Sequence, residues 1–268
     1  MNSTFGFIGV GNMGGALARG VARSVDPKSI VVSNKTAEKA AALASQLGCL
    51  ADTVEAVAQK SDYIFLGVKP HMMGDLLERI APVLAARQDR FVLVSMAAGL
   101  SIWDIRRMVG KDYPVIRIMP NVPVAVGEGV TLYDCSDNVS AEAVSVFCDA
   151  LAGTGMVSRL KENLIDAGSA LSGSGPAFVS MFIEALADGA LTCGLPRKLA
   201  LEYACQTLIG TSKMLLQTGM HPGQMKDSIC SPGGSTIAGV AALEGGAFRA
   251  TAMDAVLAAY DRTKELGQ

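Results

Sequence analysis

Apolar residues fall along this chain in two rhythms. Up to about residue 160, short continuous apolar runs recur between glycines, prolines and small polar residues. They lie at 5–8, 30–32, 63–68, 91–95 and 115–119, with a shorter one at 49–51 and later ones at 130–133 and 155–158. Runs of this kind, without polar alternation, predict strands buried on both faces, as in a parallel sheet. Between them lie helical patterns: 15 to about 24, 37–47 stopped by Gly48, a short one capped by Thr53 and ending at Lys60, 73–86 with Pro82 near its end, 102–109, and 140–151. Strand and helix alternate throughout this half, which predicts a doubly wound parallel sheet of the α/β class. The prolines of Pro120-Asn121-Val122-Pro123 are expected to stiffen that loop against helix formation. From about residue 161 the strand pattern stops and the chain reads as all-α: 161–192 interrupted at Ser172-Gly173-Ser174-Gly175-Pro176, then 197–218, 222–229, 234–244 and 248–266. Two domains are therefore expected, 1–160 and 161–268.

Between the first apolar run and the first helical segment stands Gly9-Val10-Gly11-Asn12-Met13-Gly14. A G-x-G-x-x-G spacing in a strand–turn–helix context is a dinucleotide-binding turn. Gly9 allows the tight turn, Gly11 leaves the backbone bare toward a pyrophosphate, and Gly14 lets helix and strand lie close. The first-turn N–H groups have no internal partners and can hold a phosphate. Ile8, Gly9, Val10, Gly11, Asn12, Met13 and Gly14 are thus expected to bind a cofactor, and the first half to be Rossmann-like. About twenty residues on, where an NAD-specific protein places an acid against the ribose 2'-hydroxyl, the chain has Ser33-Asn34-Lys35. Asn34 and Lys35 can accommodate a 2'-phosphate that a carboxylate would repel, so NADP(H) is the expected cofactor, with NAD(H) possible. Ligands of open parallel sheets sit beyond the carboxyl ends of the strands. Val68, Lys69 and Pro70 are therefore expected beside the adenosine half. Met96, Ala97 and Ala98, small or flexible and followed by Gly99, are expected at the nicotinamide ribose. His71 reads as a loop histidine.

Composition narrows the classes. Of 268 residues half are apolar and 18% charged, and the net charge is −2, which leaves no nucleic-acid footprint. Two histidines and six scattered cysteines, with no C-x-x-C, predict no metal site and free thiols in a reducing cytosol, hence a cytoplasmic protein. The first strand pattern begins at once, leaving no room for a signal peptide. The apolar stretch near 165–191 is broken by Asp166, Glu184 and Asp188, so no membrane span is expected.

In the helical half the richest chemistry is Ser231-Pro232-Gly233-Gly234-Ser235-Thr236, leading into a helix. Hydroxyls and bare N–H groups at a helix N-terminus suit a substrate carboxylate; a Ser/Thr cap after a turn is the alternative. With Cys230 before it and Gly239, Val240, Leu243 and Glu244 after it, this block closely resembles the signature of the pyrroline-5-carboxylate reductase family. The resemblance runs along nearly the whole chain, through the Gly9 to Gly14 turn, Val68-Lys69-Pro70, Ala97-Ala98-Gly99, Met119-Pro120-Asn121, the block from Leu171 to Ala177, and His221-Pro222-Gly223-Gln224. It implies NAD(P)H-dependent reduction of the cyclic imine 1-pyrroline-5-carboxylate to L-proline, the last step of proline biosynthesis. Ser231, Gly233, Gly234, Ser235 and Thr236 would bind the substrate, with the Thr236 hydroxyl as the catalytic group on the ring nitrogen. Asn121 would join the cofactor contacts. An intertwined homodimer, often assembled further, is also implied, in keeping with the apolar surface of the Ala- and Gly-rich helices. His221 reads as a structural helix-start residue. Two positions depart from the family: Met225 replaces a β-branched residue or leucine, and Thr53 stands near a usual asparagine by the cofactor ribose. A β-hydroxyacid dehydrogenase would need a lysine one turn after Gly173-Ser174-Gly175, where this chain has Pro176-Ala177-Phe178-Val179. A catalytically idle NADP-binding module would not need residues 231–236.

Overall fold

The computed structural model describes residues 3–266. Its strands are β1 (Phe5–Ile8), β2 (Ile30–Ser33), β3 (Leu50–Ala51), β4 (Tyr63–Leu66), β5 (Val92–Ser95), β6 (Val115–Pro120), β7 (Gly129–Cys135) and β8 (Gly155–Arg159). Its α-helices are α1 (Asn12–Val21), α2 (Ala37–Leu47), α3 (Val54–Lys60), α4 (Met73–Ala86), α5 (Ile102–Val109), α6 (Ala141–Leu151), α7 (Glu162–Ser172), α8 (Gly175–Thr192), α9 (Arg197–Thr218), α10 (Pro222–Ile229), α11 (Ser235–Gly245) and α12 (Phe248–Leu266). They form two compact units, Met1–Ser174 with Ala259–Gln268, and Gly175–Ala258.

In the first unit all eight strands join one sheet, in the order β3-β2-β1-β4-β5-β6-β7-β8. The sheet is covered on both faces, which is why its strands are continuously apolar. Phe7, Leu17, Val32, Phe65 and Phe147 centre the core under α1, α2 and α6. Ile64, Leu66, Leu77, Leu93 and Ile105 centre the core under α3, α4 and α5. Neighbouring β1 and β4 run in register Phe5 to Tyr63 and Phe7 to Phe65. Their rings stack at 5.2 Å and 4.4 Å, adding about 0.5–1.5 kcal/mol per pair beyond area burial.

Two expectations need correction. The sheet is not wholly parallel: β7 runs antiparallel to β6. The connection 121–128 is too short for a parallel crossover, which needs about a dozen residues or more, so the chain turns back as a hairpin. Nor does the Pro120 to Pro123 loop stay free of helix. Pro120 ends β6, and Val122–Val126 forms a 3-10 turn with Pro123 in its first positions, where a missing N–H costs nothing.

The hairpin brings no crossover helix to cover its face, and α7 takes that place. Ile165 packs against Met119 and Leu132, and a Cβ on Gly168 would lie 2.5 Å from the Leu132 side chain. By compactness the units part at Ser174, which places α7 with the sheet.

In the second unit α8 packs on α9 through small residues, with Ala187, Ala200 and Ala204 buried, and Phe182 stacks on Phe248 at 5.3 Å. Much apolar surface stays exposed, including Met181, Leu216, Leu243, Met253 and Leu257. Glu162–Thr192 is long and apolar enough to cross a membrane by length and composition. It is two helices broken at Gly173-Ser174, and Asp166 within it pairs with buried Arg117 at 2.8 Å.

Candidate active site

The cofactor turn is built from close backbone approaches. Gly9 has φ +96°, open to glycine alone at low cost. A Cβ on Gly14 would lie 2.1 Å from the Gly9 carbonyl oxygen, and one on Gly67 2.3 Å from the same atom. The strand thus gives way to this packing at Gly67, one residue before the apolar run ends. Gly11 differs: a Cβ there would meet nothing within 4 Å. It is the N-cap of α1, no side chain caps the helix, and its first turn carries no acid. The helix begins at Asn12, inside the glycine motif, so its first-turn N–H groups, unpaired within the helix, follow directly on Gly11. This cradle fits a pyrophosphate. Gly11, Asn12 and Met13 line a cleft of about 590 Å³ with Arg19, Lys39 and Val122.

At the end of β2, the Asn34 side-chain oxygen accepts from the Val10 N–H at 3.2 Å, and its amide donates to the Thr36 carbonyl at 3.2 Å. Asn34 therefore ties the glycine turn to the second strand, while Lys35 is exposed. Lys69 and Pro70 are exposed beyond β4, and Val68 is half-buried. After β5, Met96 packs on the core, Ala97 is buried and Ala98 is exposed, before Gly99 turns with φ +76°. These segments share the carboxyl rim of the sheet with the glycine turn.

Asn121 follows the end of β6. It is buried; its side-chain oxygen accepts from the Val130 N–H at 2.8 Å and its amide donates to the Ser172 carbonyl at 2.9 Å. Its side chain fastens β7 and the end of α7. A second cleft, of about 610 Å³, lies at the opposite rim and is lined by Arg87, Phe91, Lys111 and Tyr113. It holds none of the expected site residues, and ligands of such sheets bind at the other rim.

In the second unit, residues 231–236 form a turn and a helix start. The Gly234 N–H donates to the Ser231 carbonyl at 3.0 Å, and Gly233 has φ +69°. A Cβ on Gly234 would lie 2.4 Å from the Ser231 hydroxyl oxygen. Gly234 is the N-cap of α11, and no side chain caps the helix. The Ser/Thr cap that could have explained this block is therefore absent; Ser235 and Thr236 are exposed residues, and the first-turn N–H groups of a helix have no partner within it. Neither residue is acidic, so the positive end of the helix is not offset there. His221 caps α10, its Nδ1 accepting from the Gly223 N–H at 3.1 Å, as expected of a helix-start residue.

Charged residues around Arg117 escaped the sequence reading, although a lone arginine inside the apolar run 115–119 is a visible signal. Arg117 Nη2 lies 2.8 Å from Asp166, and Nη1 lies 3.5 Å from Glu162.

A family profile described as pyrroline-5-carboxylate reductase dimerisation matches residues 162–266, and one described as NADP oxidoreductase, coenzyme F420-dependent, matches 4–99. The first match begins at α7, which packs on the sheet. Pyrroline-5-carboxylate reductase of Glycine max is 40% identical, over 98% of this chain and 96% of its own. That of Escherichia coli is 39% identical, over 100% of both chains. Among solved structures, the Coxiella burnetii enzyme superposes with a TM-score of 0.91 at 30% identity, over 100% of both chains. The Plasmodium falciparum enzyme, solved with NADP bound, superposes at 0.88 with 33% identity, covering 100% of this chain and 99% of its own. With such likeness from end to end, the chain belongs to the pyrroline-5-carboxylate reductase family.

Proposed function

We propose that the protein reduces 1-pyrroline-5-carboxylate to L-proline, with NADPH as the preferred reductant and NADH as an alternative. The observation that carries this is the uncapped N-terminus of α11 behind Gly233-Gly234, in a chain that also bears the dinucleotide cradle. Bound at that cradle, the cofactor supplies a hydride from C4 of its nicotinamide. The N–H groups of Ser235 and Thr236, with the flanking Ser231, Gly233 and Gly234, hold the substrate carboxylate at the positive end of the helix. The Thr236 hydroxyl hydrogen-bonds the ring nitrogen and orients it. An imine nitrogen protonates readily, and the iminium accepts hydride at ring C5 without a strong protein acid. Alignment of the two reactants can then supply much of the acceleration, about 7–11 kcal/mol in favourable systems.

The exposed apolar helices of the second unit support a homodimer, with further assembly, formed through that unit. The six free thiols suit the cytoplasm. The test is loss of absorbance at 340 nm on mixing the protein, NADPH and pyrroline-5-carboxylate; no turnover overturns the proposal. Thr236→Ala should lower kcat by about 10²-fold, the effect of losing one oriented polar contact. Unchanged kcat would remove Thr236 from the chemistry.

A further inference from the structure

Arg117 interrupts an apolar strand, and its side chain is only 5% exposed. It lies beside two carboxylates of α7, Asp166 and Glu162. The Glu162 oxygen nearest to it, Oε1, also accepts from the backbone N–H of Ile102 at 2.7 Å. Ile102 is the first residue of α5. The Glu162 N–H in turn donates to Asp134 on β7 at 2.8 Å. One carboxylate oxygen thus stands between a buried guanidinium and the N-terminus of α5, while its own residue is fastened to the sheet.

The start of α5 is the far end of the segment that leaves β5 through Met96, Ala97 and Ala98. Ser101 and Asp104 form a capping box there, and Glu162 satisfies one more N–H from outside the helix. A buried ion pair is weak evidence of stability, and fixing a register is its better attested use. Here Asp166 already pairs with Arg117, and Glu162 spends its oxygen on a different element.

We propose that Glu162, held by Arg117, is a positioning residue for the nicotinamide side of the cofactor site. It sets the segment between β5 and α5 against the sheet and against α7, the helix that runs on into Gly173-Ser174. This rests on the function proposed above. Trp103, the only tryptophan, is the second residue of α5 and is exposed, so its fluorescence reports on this helix start.

Glu162→Ala should change the Trp103 emission, weaken NADPH binding and lower kcat by about tenfold or more, the scale of a small misalignment. Glu162→Gln keeps an oxygen for the Ile102 N–H and should restore the emission and most of kcat. Arg117→Lys should fall between them. Ser140→Ala removes the cap of α6; it should lower Tm without changing Trp103 emission or kcat, which separates positioning from general destabilisation. The proposal is overturned if folded Glu162→Ala keeps kcat and KM for NADPH within about twofold of the parent, or if Glu162→Gln is as impaired as the alanine variant. Should Glu162→Ala not fold, Glu162→Gln and Arg117→Lys decide by the same measurements. If the parent shows no turnover, the proposed function fails instead, and NADPH titration followed by Trp103 emission still decides the positioning role.

Discussion

Gly11 and Gly14 belong to one motif and carry different loads. Gly14→Ala drives a Cβ to 2.1 Å from a backbone oxygen and should cost about 1–3 kcal/mol, as overpacking does; a chemical melt measures it. Gly11→Ala meets no neighbour within 4 Å, so Tm should hold while NADPH affinity falls. Asn34→Asp keeps an acceptor for the Val10 N–H, so the fold should stand. Like charges brought together cost several kcal/mol, so the ratio of kcat/KM for NADPH over NADH should fall by about tenfold or more. An untouched ratio would reject the NADPH reading of this strand end. Tyr63 donates to the Ala143 carbonyl at 2.8 Å. Burial, aided by Asp62 and Glu142, pushes its hydroxyl from 10.0 up to about 12. A group raised on folding stabilises fully below its unfolded pKa, so this contribution should fade as pH rises from about 10 to 12; Tyr63→Phe should flatten that alkaline decline. The glycine motif was legible because its demands are local. The role of Asn121 was not, because its partner Ser172 lies far along the chain.

Helix limits were among the most legible features. The expected spans 37–47, 102–109, 197–218 and 222–229 all match, and Gly48, Gly110 and Gly219 close three of them in the left-handed conformation. Capping is equally local. Ser101→Ala should destabilise by about 1 kcal/mol. At Asp104 burial pushes the carboxyl up, but hydrogen bonds from the Ser101 side chain and backbone, with nearby Arg107 and Arg117, outweigh it and leave the pKa below the usual value. The sign follows: this contribution is present above the unfolded pKa and lost as pH falls through the lower folded one. Thermal melts down the acid range should show a shallower loss in Asp104→Asn than in the parent. Strand direction was less legible, since an apolar run does not say which way its neighbour points. Only the shortness of 121–128 hinted that β7 would turn back.

At the scale of the molecule, the second unit covers little of its own apolar surface. Met225 and three alanines are its buried hydrophobic residues among those described, and α11 buries none. A second copy through this surface is the expected cover, and sedimentation should give a dimer or larger. Leu243→Glu and Leu257→Glu should shift the population toward monomer and lower Tm, in a concentration-dependent way; a monomeric parent would remove the dimer. From the order of residues alone came what neighbours within a few positions decide: the strands and helices, the glycine cradle, and the bend before α11. Tertiary structure decided the direction of β7, the allegiance of α7, and the work of Asn121, Arg117 and Glu162. These depend on groups dozens of residues apart meeting in a shared environment, and no local pattern encodes which partner a buried polar atom will find.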